Sequence, residues 1–359
     1  MNIRERMNAV FNCQKPDKVP FYSFYGPNTQ LIPSGSFERK IRNRGLGLLT
    51  IASPISSEMP NISTTTRKTD ISEETTYHTP IGDVSTESYG KTNRITSPLW
   101  PVKKKHLFKN SKDYDPIIYM IKDTIYHIDL EEFKLKDQDV GEDGILHVAM
   151  VLPPFTQTWD LMGLEKWCYE QNDNPGKFSN LLDALNKRSN TIINLLVEIE
   201  DNIHITCGDI RDGVNPDSYL KYEIPIYEKA FEALRAGGKK CGIHAHSSLL
   251  KNQKKVLARM NPDYIEAYTP PPYSDLPLPE LREAVGEDTS ILINFPETIF
   301  YNGYEKTRDY TIELLKSDPS YNKMIGFTEM GMMGVDERTR SVFEDGIIAI
   351  LDAIDELEY

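Results

Sequence analysis

The chain has 359 residues, is 39% hydrophobic and carries a formal net charge of −13. That length suits one barrel or two smaller domains, and the acidic balance argues against nucleic-acid or membrane-surface partners, which want a basic face. No apolar run reaches the ~18 residues of a membrane span, the N-terminus lacks a signal-like apolar region, and four scattered cysteines suit a reducing compartment, so a cytoplasmic protein is expected.

Apolar spacing predicts a helix over "NIRERMNAVFNC", followed by short strands at "KVPFYSF" and "GLGLLTIASP". From Ser63 to about Ile95 the texture turns Thr-rich, with polar alternation around "TPIGD", which predicts half-exposed antiparallel hairpins. A regular beat follows. "SKDYDPIIYMIKDTIY" reads as helix and "GILHVAMVL" as strand; "LEKWCYEQ" and "NLLDALNKRSNTIINLLVEIE" read as helices, and "NIHITCGDI" as strand. "NPDSYLKYEIPIYEKAFEALRAGG" reads as a helix pair broken near Pro225 and closed by Gly237 and Gly238. Four further strands alternate with helices up to the closing helix "VFEDGIIAILDAIDELEY".

Eight strands result, at about 18–24, 46–53, 145–152, 203–210, 240–247, 264–269, 290–296 and 324–331. Eight strands alternating with helices predict a single α/β domain over 1–359, a (β/α)8 TIM barrel with an antiparallel β-hairpin insertion near the N-terminus, at about 60–100. An open doubly wound sheet is the alternative, but it normally brings a glycine-rich phosphate loop and none is present. In a barrel, chemistry gathers at the C-terminal ends of the strands. Those ends deliver Asp209, His244 and His246, Glu266 and Tyr268, Asn294 and Glu297, and Glu329.

Two of the seven histidines alternate in "CGIHAHSSLL". On a strand, residues two apart share a face, so His244 and His246 are expected to project together, within reach of Asp209. They read either as part of a metal site with Asp209 and Glu329, since imidazoles and carboxylates are zinc ligands, or as two hydrogen-bonded core histidines. Cys241 lies deeper in the strand and faces the other way; Cys207 is expected on the side of Asp209, one layer down. Both read as small buried hydrophobes, and the methionines of "EMGMMG" as rim filler.

The order of "RERMNAVFNCQKPDKVPFY", "TPIGDV", Gly208–Asp209, "NPDSYLKYEIPIYEKAF", "GKKCGIHAHSSL" and "GVDERTRSVFEDGIIAIL" resembles the uroporphyrinogen decarboxylase superfamily over essentially the full length. That superfamily includes the cobalamin-dependent methyltransferases, and the resemblance implies a (β/α)8 barrel and a plausible homodimer. True decarboxylases carry an Arg-Gln-Ala-Gly-Arg stretch after the first strand; here "YSFYGPNTQLIP" stands there, without the basic clamp. Coenzyme M methylating members hold zinc with a His-x-Cys pair and a distant Cys. In this chain the pair is His244-x-His246, and Glu329 is the natural distant candidate. Ether-cleaving members resemble a Glu-x14-Glu-x20-His pattern. Here thirteen residues separate Asp209 from Glu223 and twenty separate Glu223 from His244, so the first spacing is one short and begins with Asp.

The resemblance implies a zinc-dependent methyltransferase. It would move a methyl group between a small methylated substrate (ether, amine or thiol) and the corrinoid (cobalamin) of a partner protein. His244, Glu223 and Asp209 are the implied metal ligands, with His246 and Glu329 as catalytic companions. A metal-free decarboxylase or lyase of the uroporphyrinogen decarboxylase type, or a non-catalytic homologue that binds a corrinoid protein, are the alternatives.

Overall fold

The computed structural model describes residues 1–25, 35–89, 102–148, 153–201, 203–327 and 336–357. Eight parallel strands close into a barrel: β1 (Phe21–Tyr25), β2 (Leu46–Ile51), β3 (Gly144–Val148), β4 (His204–Asp209), β5 (Lys240–His244), β6 (Tyr264–Tyr268), β7 (Ser290–Asn294) and β8 (Lys323–Phe327). They pair in chain order, and β1 closes the ring on β8. The expected strands are all present. Residues 149–152 and 328–331, predicted to continue two of them, lie outside the described residues, as does the hairpin segment 90–101.

The chain packs as two compact units, one of residues 1–53, 130–150 and 200–359, the other of 54–129 and 151–199. The first contains the barrel. Inside it, Tyr22, Leu49, Ile145, Tyr264, Leu292 and Met324 form a core with Met7, Val10 and Phe11. Those last three lie on the helix Ile3–Phe11, which starts on a capping box between Asn2 and Glu5 and fills the barrel from the N-terminal side of the strands. Two glycines make room for the large rings. A Cβ on Gly242 would fall 2.0 Å from the Tyr264 ring, and one on Gly326 would fall 2.5 Å from that of Tyr22.

In the second unit, Ser63–Lys68, Ser72–Thr79, Gly82–Tyr89 and Lys103–Lys105 form a four-stranded antiparallel sheet. Ile55–Glu58 pairs antiparallel with Ile125–Ile128. The helix predicted to run to Tyr126 ends at Asp123, because the β-branched and aromatic run "IYHI" is taken by that pairing. The helices Pro154–Met162, Leu164–Asp173 and Pro175–Glu198 also belong to this unit. Its core includes Phe155 against Trp167, whose indole N–H donates to Thr158 Oγ1 at 2.9 Å. Among the described residues no helix is long and apolar enough to cross a membrane.

Candidate active site

Two irregularities in the barrel decide which side chains share its interior. On β4 the pairing with β5 runs Thr206↔Gly242 and then Gly208↔Ile243, so Cys207 is an extra residue, a β-bulge. The shift puts Asp209, rather than Gly208, in line with Thr206 and opposite His244. This corrects the expectation that Cys207 sits on the side of Asp209; its thiol lies against Cys241, and that contact together with burial pushes its pKa up. On β6 a second bulge lies between Ile265 and Tyr268, where Ala267 adopts a left-handed φ of 56°. Glu266 therefore stays in the row, opposite His244. Tyr268 is turned into the packing around the strand, where its hydroxyl donates to the carbonyl of Leu276 at 2.7 Å.

The row Asp209, His244, Glu266 thus crosses three neighbouring strands near their C-terminal ends. Glu266 is buried, 3% exposed. Its Oε1 accepts from His244 Nδ1 at 3.0 Å. Its Oε2 lies 3.1 Å from His147 Nε2, close enough for charge to be felt but off the line of a hydrogen bond. Burial alone would raise the pKa of Glu266, but the charges and hydrogen bond of the two imidazoles outweigh it and hold the carboxyl well below the usual range. For His244 burial lowers the pKa, while the Glu266 hydrogen bond and the charges of Glu266 and Asp209 outweigh it, so the net shift is upward.

Asp209 is buried and forms an ion pair with Arg211 Nε. The backbone N–H of Asp209 donates to Tyr227 Oη at 3.3 Å, and that hydroxyl donates to Glu223 Oε2 at 3.1 Å. Glu223 is fully buried at the end of a wide helical turn, Tyr219–Glu223, in which the N–H of Ile224 reaches back five residues to Tyr219. Pro225 accounts for this turn: its ring clashes with the carbonyl four residues back and it has no N–H to donate, so the helix widens. The predicted break therefore turns Glu223 inward. Burial, reinforced by the charge of Glu223, keeps the Tyr219 and Tyr227 hydroxyls protonated as donors.

His246 has a different setting. β5 ends at His244, so strand alternation does not govern His246, which is exposed. Its ring stacks on Tyr273 at 4.6 Å, with Nε2 2.8 Å from the Tyr273 hydroxyl, and its centroid lies 6.3 Å from that of His244. Nearby, Asp212 accepts from Ser247 Oγ at 2.5 Å and from Ser248. Asn294 Nδ2 donates to Thr269 Oγ1 at 2.9 Å. Glu329 lies outside the described residues.

Sequence reasoning did not single out His147 or Arg211. The signal for His147 was one ionisable residue inside the apolar strand "GILHVAMVL", two positions after the core residue Ile145. For Arg211 it was a lone cation in an acidic rim.

The expected ligands answer the metal question unevenly. His244 has the arrangement of a metal-bound imidazole, one nitrogen on a carboxylate. Asp209 is instead engaged by a guanidinium, and Glu223 by a tyrosine hydroxyl. Among the described residues no three His, Cys, Asp or Glu side chains converge on a point that would hold a metal ion. The set as packed does not fit zinc.

The chain is similar in fold to a methyltransferase from Methanosarcina mazei. The alignment covers 99% of each chain with a TM-score of 0.58 at 13% identity, and at that identity the likeness concerns the fold. No protein-family profile matches the chain, and no curated protein matches it.

Proposed function

We propose that the chain is a methyltransferase that moves a methyl group between a small methylated ether, amine or thiol and the corrinoid of a partner protein, with His244 at the chemical centre. One observation carries the reading. At the C-terminal mouth of the barrel, His244 has Nδ1 held by a buried carboxylate, and its Nε2 has no hydrogen-bond partner among the described residues. The fold likeness to a methyltransferase supports the same class.

Transfer of a methyl group from oxygen, nitrogen or sulfur breaks a bond to a poor leaving group, so the departing heteroatom must be activated. With its pKa raised, His244 is placed to hand a proton from Nε2 to that atom as the methyl leaves. Zinc on His244, Asp209 and Glu223 does not fit this packing, in which Asp209 is paired with Arg211 and Glu223 accepts from Tyr227. His246 on Tyr273 forms part of the rim that a substrate or partner meets.

The test mixes the protein with cob(I)alamin and methylated ethers, amines and thiols in turn, and follows cobalt methylation by absorbance. Methylation by the wild type with one donor class, reduced at least ~100-fold in His244→Ala, is expected for loss of a general acid. Wild type inert towards all three classes, or equal rates in the variant, would refute the proposal.

Arg211 favours a second reading, a metal-free lyase or decarboxylase acting on a small acid. A guanidinium in the mouth matches a carboxylate. Carbon dioxide release that depends on Arg211 would separate it from methyl transfer.

A further inference from the structure

The group His147, Glu266 and His244 spans β3, β6 and β5, and only His244 has so far been given a role. Glu266, ionised and buried, has only acceptor oxygens. The hydrogen on the 3.0 Å contact must therefore belong to His244 Nδ1. A neutral imidazole carries one N–H, so the lone pair falls on Nε2. With Glu266 3% exposed, bulk water does not compete for its oxygens. Tyr264, the neighbouring phenol, is committed to Thr206 Oγ1 at 3.0 Å.

His147 adds the second part. It is 1% exposed, packs edge-on against Phe24 with centroids 5.5 Å apart, and leaves Nδ1 buried without a hydrogen-bond partner. Such a buried, unpaired nitrogen costs about 1–3 kcal/mol. An apolar ring would fill a barrel core without that cost. What the imidazole adds is its Nε2, 3.1 Å from the second oxygen of Glu266. The carboxylate is thus confined from both sides.

We infer that Glu266 and His147 are positioning residues for His244: Glu266 fixes which ring nitrogen of His244 carries the proton, and His147 holds the Glu266 carboxylate in place. The use of this arrangement in catalysis rests on the proposed function; the arrangement itself does not.

The test reads ring protonation directly. Protein labelled with 15N-histidine is examined by long-range 1H–15N spectra above the titration of His244, with His244→Gln identifying the resonances. In the wild type a single tautomer with hydrogen on Nδ1 is expected. Glu266→Met, which removes the acceptor, should shift His244 towards hydrogen on Nε2. His147→Phe, which keeps the volume, should yield a mixture. If Glu266→Met does not fold, as judged by circular dichroism, Glu266→Gln replaces it and is expected to mix the two forms, because an amide offers a donor as well as an acceptor. A pure Nδ1–H signature that survives the Glu266 variant and His147→Phe overturns the inference. Absence of methyl transfer in a wild type that shows the expected tautomer would defeat the functional reading alone.

Discussion

Arg211 is the residue that sets the ionic character of the mouth. Its guanidinium beside Asp209 disfavours a second cation there. Removing it should reverse that balance. Arg211→Met is expected to bind zinc at least ~10-fold more tightly than the wild type, a shift of about 1.4 kcal/mol, as read by titration calorimetry. Equal affinity in both would mean that Asp209 is not a ligand. A second residue has a measurable signature far from the mouth. Lys323, 2% exposed, donates to the carbonyls of Asp318 and Ser320, and burial brings its pKa down to about 8. In the unfolded chain the value returns to about 10.5, so between these pH values the unfolded state binds more protons. The penalty of burying the charge is therefore fully present below about pH 8 and is relieved as pH rises towards 10.5. Relative to Lys323→Met, the wild type should gain about 3 kcal/mol across that window, measured by denaturant unfolding at its two ends. A flat difference would show that the buried amine stays fully charged.

At the level of elements, helices and strands were readable where an apolar period was long, as in Pro175–Glu198 and the barrel strands. The bulges were not, because strict alternation assumes that no strand carries an extra residue, and neither Cys207 nor Ala267 is a glycine that would mark one. Alternation does not reach His246, because the strand ends at His244, yet the two rings remain neighbours with centroids 6.3 Å apart. Asp209 and His244 were legible as polar residues at strand ends and Glu223 only through the family resemblance, whereas His147 was hidden in an apolar run. The bulge on β6 can be probed. Ala267 sits at φ 56°, where a Cβ meets its own backbone; such a conformation costs an ordinary residue about 1–2 kcal/mol. Ala267→Gly is expected to leave stability unchanged or raise it by up to ~1 kcal/mol, and Ala267→Val to lower it by more than that. Thermal unfolding of both variants checks the sign; a stabilising valine would contradict the left-handed geometry.

For the whole molecule, the eight-strand count was sufficient to identify a closed barrel, since the alternative open sheet would have carried a phosphate loop. The long excursions at 54–129 and 151–199 were harder, because hairpins and short paired strands such as Ile55–Glu58 have little periodicity to read. Global packing also sorts the thiols. Cys13 and Cys168 are exposed, whereas Cys207 and Cys241 are buried. An aromatic disulfide reagent should titrate two thiols within minutes in the folded protein and four in denaturant; fast reaction of four without denaturant would contradict the barrel packing around β4 and β5. The extra residue at Cys207 has a broader meaning. It acts as a frameshift in space: everything before it on the strand keeps its face, and everything after it changes sides. Were Cys207 drawn into the ladder instead, strict alternation would bring Gly208 opposite His244 and turn the Asp209 carboxylate out of the row, leaving the lower barrel, up to Thr206, as it was. Because the extra residue stands outside the ladder, a codon gained or lost at that point is absorbed without turning the side chains of the mouth or renegotiating the core.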